Sequence, residues 1–398
     1  MSDQMQAGMD EATRLTREGR LAEATTVIKR TLGFTFSPTA SPAGLSSADE
    51  QMEAAFHVVD RAPQPKAPSR PDRANKHALR RAPRPPRRRR GEPPWSGNVS
   101  GATVDLPGSA VVPARGGQFV ERFYTNAAGS RSYKLYVPSG YKGQEVPLIV
   151  MLHGCTQNPD DFAAGTHMNA LAETNAFLVA YPAQDGGANM QGCWNWFKAA
   201  DQQRGRGEPS IIAGITCEVI GEYHVATDGV FVAGMSAGGA MAAIMGEAYP
   251  DLYTAIGVHS GLAPGAAKDL PSAFSAMRGG GPVPARGNIP TVPTIVFHGD
   301  RDTTVHPRNS EHLIAGQDGA GKLALPIKVH KGQVPGGYSY TRVVHHDAGG
   351  RAIAEQWIIH GLGHAWSGGS SPGSYTDPKG PDASAEMVRF FRQQREPM

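Results

Sequence analysis

No apolar run in this chain approaches the roughly 18–20 residues that a membrane-crossing helix needs, so none is expected. Cysteine is scarce. Cys155, Cys193 and Cys217 are too few for a disulfide scaffold, and Cys217, in an apolar helical run, is expected as a buried thiol. No C-x2-C pair occurs and no H-x3-H pair falls on one predicted helix, which argues against a metal site. No G-x-G-x-x-G follows the first predicted strand and there is no Walker loop, so no nucleotide cofactor is implied. The first residues, Met1 to Gln6, lack a basic segment leading into an apolar one. The expectation is therefore no secretory leader and residence in the cytoplasm.

What is abundant is glycine and proline, 49 and 32 of 398 residues, beside a hydrophobic content of only 39%. This balance suggests a globular core joined to loop-rich or unstructured tracts. Charge is unevenly placed. Residues 61–95 hold 12 of the 39 Lys+Arg and 2 of the 36 Asp+Glu, so this segment carries +10 and the remainder −7.

Residues 1–33 read as a helical hairpin. Met5, Met9 and Ala12 form one apolar stripe, and Leu21, Ala24, Ile28 and Leu32 form another, with Gly19-Arg20 between them. The pattern resembles a single tetratricopeptide-type hairpin, which must dock on the rest of its own chain or on a partner to bury both faces. Residues 34–116 lack periodicity and are rich in Pro, Arg, Ala and Ser, the composition of a disordered linker. The tract Arg81–Arg90 reads first as a solvated tether. The second reading is contact with a polyanion or an anionic surface, without base stacking because no aromatic residue interleaves the arginines.

From residue 117 to 398 the pattern changes to an α/β domain. Strands are expected over 118–124, 131–137, 147–152, 177–181, 230–233, 254–258, 294–297 and 352–359. Helices are expected over 160–175, 210–224, after residue 238, and over 383–393. This alternation predicts a mostly parallel sheet flanked by helices. Residues 261–290 interrupt it and are expected to border a cleft. The run Val230–Ala233 leads into Gly234-Met235-Ser236-Ala237-Gly238, and Ala240–Met245 begins a helix. A G-x-S-x-G turn between a strand and a helix is the nucleophile elbow of the α/β-hydrolase fold, where glycines permit the tight turn that lifts a serine hydroxyl.

A serine needs an imidazole as base, and the imidazole needs a carboxylate. In this fold they follow in the order Ser, acid, His, each after a strand. The strand ending at Phe297 runs into His298-Gly299-Asp300-Arg301-Asp302, which offers Asp300 and Asp302 as the acid. The last strand runs into His360-Gly361-Leu362-Gly363-His364, where the glycines free His364 to turn toward a site and His360 reads as structural. His306, His345 and His346 read as surface or loop residues. An oxyanion needs two N–H donors, and the candidates are Ala237, after the serine, and Cys155 in the turn Leu152-His153-Gly154-Cys155.

These motifs, with Cys193-Trp194-Asn195-Trp196 and Gly363-His364-Ala365-Trp366, resemble the poly(3-hydroxybutyrate) depolymerase family of esterases. Feruloyl and acetylxylan esterases share much of the pattern. The resemblance implies Asp302 as the acid, His364 as the base, and an oxyanion hole at Cys155 and Ala237. It also implies a Cys155–Cys193 bridge, with Trp194, Trp196 and Trp366 as substrate-binding residues; a packed-core role for one of Trp194 and Trp196 is the alternative. The substrate it implies is a polyester or a small ester, cleaved through an acyl-enzyme on intracellular granules or soluble oligomers. Ser367 departs from the pattern, standing where proline usually follows the tryptophan, a mild change in loop stiffness.

Overall fold

The computed structural model describes residues 116–279, 292–315 and 327–395. The expected hairpin at 1–33, the linker up to residue 115 and the Arg81–Arg90 tract lie outside the described residues. One ten-stranded sheet organises the rest. Its first strands, β1 (Gln118–Asn126) and β2 (Gly129–Val137), form an antiparallel hairpin. Gly129 at φ 137° opens the return strand, and the Asn126 side chain accepts the Ala128 N–H at 2.8 Å.

The parallel strands are β3 (Val146–Leu152), β4 (Leu178–Pro182), β5 (Val225–Met235), β6 (Ala255–His259), β7 (Thr294–Gly299) and β10 (Ala352–His360). Two further antiparallel strands, β8 (Ile327–Gln333) and β9 (Ser339–His346), were not foreseen. The order across the sheet is β1-β2-β4-β3-β5-β6-β7-β10-β9-β8. β8 has no sequence signature because Ile327 to Lys331 are all exposed on an edge strand, with no face to bury.

Helices cover both faces of the central strands. Alternation along β3 sends Leu148, Val150 and Leu152 to one core, with Ile149 and Met151 in the other. The first core also takes α3 (Gly207–Glu222) and α4 (Ala237–Ala248). The second takes α1 (Pro159–Thr166), α2 (Met168–Asn175) and α7 (Ala383–Arg395). Two short helices, α5 (Leu270–Met277) and α6 (Arg308–Ala315), follow β6 and β7. A short 3₁₀ helix over Ala199–Gln202 and a two-residue pairing, β11 (Trp366–Ser367) with β12 (Thr376–Asp377), complete the described elements.

The single helix expected over 160–175 is two helices. His167 takes φ 55° between them. The carbonyls of Gly165 and Thr166, which would have continued the helix, accept the Ser370 N–H (2.9 Å) and the Ser384 hydroxyl (2.6 Å) instead. Two other expectations are corrected. Cys217 is exposed, because α3 buries the stripe Ile211, Ile212, Ile215 and Val219 and the thiol lies on the opposite side. His345 and His346 end strand β9, and His345 is buried.

The elbow leaves no room for a side chain at its glycines. A Cβ on Gly238 would overlap the carbonyl oxygens of Leu152 and His153, and one on Gly234 would overlap the Gly238 carbonyl. Gly238→Ala should therefore force β3 and α4 apart and destabilise the domain by about 1–3 kcal/mol, the usual range for overpacking. A lowered melting temperature in thermal unfolding checks this, and an unchanged one would contradict the packing described.

Candidate active site

From Val230 to Gly246 every residue is buried except Ser236. Its φ of 55° and ψ of −119° are strained for a residue with a Cβ. The conformation persists because the neighbouring chain holds it: the Ser236 N–H donates to the His259 carbonyl (2.9 Å), and its own carbonyl accepts from Ala240 (2.9 Å) as α4 begins. The strain turns one hydroxyl out of an otherwise buried strand and helix.

Asp302 and His364 meet at the ends of β7 and β10. His364 Nδ1 lies 2.7 Å from Asp302 Oδ2. The carboxylate is buried, and its other oxygen accepts the N–H groups of Thr304 (2.9 Å) and Val305 (2.8 Å). Burial pushes the Asp302 carboxyl up, but hydrogen bonds and charge from His298 and His364 outweigh it and hold it well below the usual carboxylate range. An ionised Asp302 fixes the His364 tautomer with the proton on Nδ1, leaving Nε2 as the basic nitrogen. Among the described residues, no hydrogen bond joins His364 to the Ser236 hydroxyl.

Asp300, the other candidate acid, is engaged elsewhere. It contacts His360 Nδ1 at 2.9 Å and accepts the Gly361 N–H at 2.7 Å, while His360 Nε2 meets Thr341 Oγ1 at 2.9 Å. This second Asp–His pair pins the start of the loop that carries His364. It is half-exposed and lies at the strand ends.

The turn after β3 carries Cys155. Among the described residues, the N–H groups of Cys155 and Ala237 have no acceptor within the chain. The turn is held from several sides. A disulfide joins Cys155 to Cys193. Gln157 accepts the Gly154 N–H (2.9 Å) and donates to Asp161 and Ser374. His153 accepts the Gln184 N–H at Nε2 (3.1 Å), so its Nδ1 carries the proton that meets the Gly154 carbonyl at 2.8 Å. Burial drives the His153 imidazole below its ordinary pKa, which keeps it neutral for this double role.

Beneath this turn lies a buried polar network with no signature in the sequence. Glu208 accepts the Asn195 N–H (2.7 Å) and the side chains of Asn195 and Gln184, and Arg131 donates its Nε to Gln184 (2.9 Å). Gln184 also donates to the Cys193 carbonyl (2.9 Å), so the network supports both halves of the disulfide-linked loop. Burial raises the Glu208 carboxyl despite these donors. Tyr375 is the other unforeseen neighbour: its hydroxyl meets Thr156 Oγ1 at 3.1 Å and its ring is 44% exposed beside the turn.

The three tryptophans expected as substrate contacts are core residues. Trp194 is fully buried with its ring 5.7 Å from His153, and Trp196 is buried against Phe197. Trp366 packs edge-on to Phe162, stacks on His259, and donates its indole N–H to Ser384 (3.1 Å). Their large apolar surfaces are used to set the loops around the site, not to line an open wall.

Residues 131–317 match the family model described as esterase PHB depolymerase. Poly(3-hydroxyalkanoate) depolymerase C of Paucimonas lemoignei is 31% identical over 257 residues, covering 62% of this chain and 60% of that protein. Residues 131–317 are therefore a PHB depolymerase-like esterase domain. Acetylxylan esterase A of Talaromyces purpureogenus is a further relative of this esterase domain, 28% identical over 213 residues that cover 48% of this chain and 54% of that protein. The chain thus spans under two thirds of the length of these curated relatives. The solved acetyl xylan esterase from Aspergillus awamori shares the fold, with a TM-score of 0.55 and 21% identity over 70% of this chain and 99% of that one.

Two outcomes follow from the esterase-domain geometry. Asp302→Asn should lower kcat by about 10⁴-fold, as loss of the tautomer-fixing carboxylate does in the triad template. Asp300→Asn, which only loosens the His360 contact, should cost far less; steady-state kinetics of both variants separate the two carboxylates. Reduction of the Cys155–Cys193 bridge should lower kcat about tenfold with little change in KM, because it frees the turn that presents the Cys155 N–H. Thiol titration run beside the assay checks that the loss follows bridge opening.

Proposed function

We propose that this chain is a serine carboxylic-ester hydrolase that cleaves poly(3-hydroxybutyrate) or hydroxyalkanoate oligomers through an acyl-enzyme. The reading is supported by the strained, solvent-reaching Ser236 and the Asp302–His364 pair, whose two segments both bond to His259. In this mechanism His364 Nε2 takes the Ser236 proton as Oγ attacks the ester carbonyl, and the Cys155 and Ala237 N–H groups bind the resulting oxyanion. His364 then returns the proton to the leaving alkoxide, and a water molecule activated by the same imidazole releases the acyl group. The P. lemoignei relative supports the polyester as substrate. In the same proposal the Arg81–Arg90 tract makes contact with a polyanion or granule surface.

A second reading, a carbohydrate esterase removing acetyl or feruloyl groups, is favoured by the acetylxylan esterase relative and by the feruloyl esterase B of Neurospora crassa, 28% identical over 265 residues. The deciding experiment measures hydrolysis by the wild type and Ser236→Ala on amorphous polyhydroxybutyrate granules, hydroxybutyrate oligomers, acetylated xylan and methyl ferulate. Release of hydroxybutyrate that disappears in Ser236→Ala is the expected result. Turnover confined to the acetyl or feruloyl esters would move the function to the second reading, and wild-type rates in Ser236→Ala would overturn the nucleophile.

A further inference from the structure

His259 ends strand β6 with no exposed surface, and its polar groups serve different parts of the site. Its carbonyl accepts the Ser236 N–H at 2.9 Å. Its Nε2 accepts the N–H of Ser367, three residues after His364, at 3.0 Å. The Nε2 is therefore unprotonated, and Nδ1 carries the proton that faces Ser260 Oγ at 3.2 Å. The ring stacks on Phe297 (5.9 Å between centroids, 11° between planes) and on Trp366 (5.0 Å, 24°). Burial drives the imidazole well below its ordinary pKa, with the neighbouring His298 and His364 acting in the same direction, so it stays a neutral acceptor.

The Ser367 bond is possible only because of how β11 runs. The N–H groups of Trp366 and Gly368 go to β12 and the residue before it, donating to the carbonyls of Asp377 (2.8 Å, from Gly368) and Tyr375 (2.7 Å, from Trp366). Between them the Ser367 N–H turns to the other side and reaches His259. Proline at this position would have no N–H to give. The residue that looked like a mild change in loop stiffness is thus a hydrogen-bond donor to the core of the site.

We propose that His259 is a positioning residue: it ties the loop carrying His364 to the turn carrying Ser236, and so sets the reach from base to nucleophile. The role rests on the serine-esterase reading above. It differs from packing alone because one residue holds both partners through separate polar atoms, and because misplacement of a catalytic group by about 1 Å is enough to cost a large rate factor.

The test compares His259→Phe, His259→Gln, Ser367→Pro and the double variant His259→Phe/Ser367→Pro in the full chain. Readouts are kcat and KM on p-nitrophenyl butyrate, the rate of Ser236 labelling by a fluorophosphonate, and thermal unfolding. His259→Phe keeps the aromatic stack but removes the acceptor. It should lower kcat and labelling about tenfold or more, with KM within about twofold of wild type. His259→Gln, which restores an acceptor, should recover part of that loss. Ser367→Pro should lose a similar factor, and the double variant should lose no more than the worse single, because both remove the same bond. Wild-type kcat in folded His259→Phe or Ser367→Pro, or additive losses in the double variant, would overturn the role. Should His259→Phe fail to fold, Ser367→Pro against His259→Gln carries the same comparison. A wild-type chain that neither hydrolyses the ester nor takes the label overturns the serine-esterase reading itself, an outcome distinct from the labelled wild type with fully active variants that would remove His259 alone.

Discussion

The backbone of Ser236 sits at φ 55° because the chain around it leaves no other place for the turn to go. Gly238 rides directly on the Leu152 and His153 carbonyls, Gly239 approaches the His259 carbonyl, and Gly234 lies under Gly238. These approaches bring the ends of β3, β5 and β6 and the start of α4 to one point. The candidate nucleophile, the turn bearing Cys155 and the residue His259 are neighbours for that reason. Strain at one residue is sustained by packing over three strands and a helix.

From this point two loops are tied inward by different means. The turn carrying Cys155 is held covalently to Cys193 and by the side chains of His153 and Gln157, over the buried Glu208–Gln184–Asn195 cluster. The loop carrying His364 is held at its start by the Asp300–His360 pair and after its histidine by the Ser367–His259 bond. Asp302 needs no such loop. It is buried at the end of β7, accepts two backbone N–H groups and stays charged. The donors to each loop come from distant stretches of chain, so the site is a property of the whole sheet edge.

The parts of this arrangement that were legible in the sequence are those with strong local patterns. Buried parallel strands read as continuous apolar runs, and β3, β4 and β7 stood out for that reason. The elbow was legible because its glycines answer a steric demand made within five residues. The β8–β9 hairpin was not, since an exposed edge strand carries no buried face to impose a period. The break at His167 was hidden because its cause, the capture of the Gly165 and Thr166 carbonyls, comes from residues 370 and 384. The burial of all three tryptophans was not legible for a related reason: an indole beside a catalytic motif looks the same in sequence whether it faces a cleft or fills the core behind it.

Sequence by itself determined the α/β class, the position of the elbow and the short set of residues from which acid and base are drawn. Spacing along one chain is enough for each of those. The choice between Asp300 and Asp302, which resemblance alone had suggested, acquired a physical basis only in the tertiary structure, where one carboxylate is buried against His364 and the other is spent on His360. The same holds for His259 and Ser367. Their bond joins residues 108 positions apart, and a hydrogen bond of that kind exists only once the strands that carry its two ends have been laid side by side.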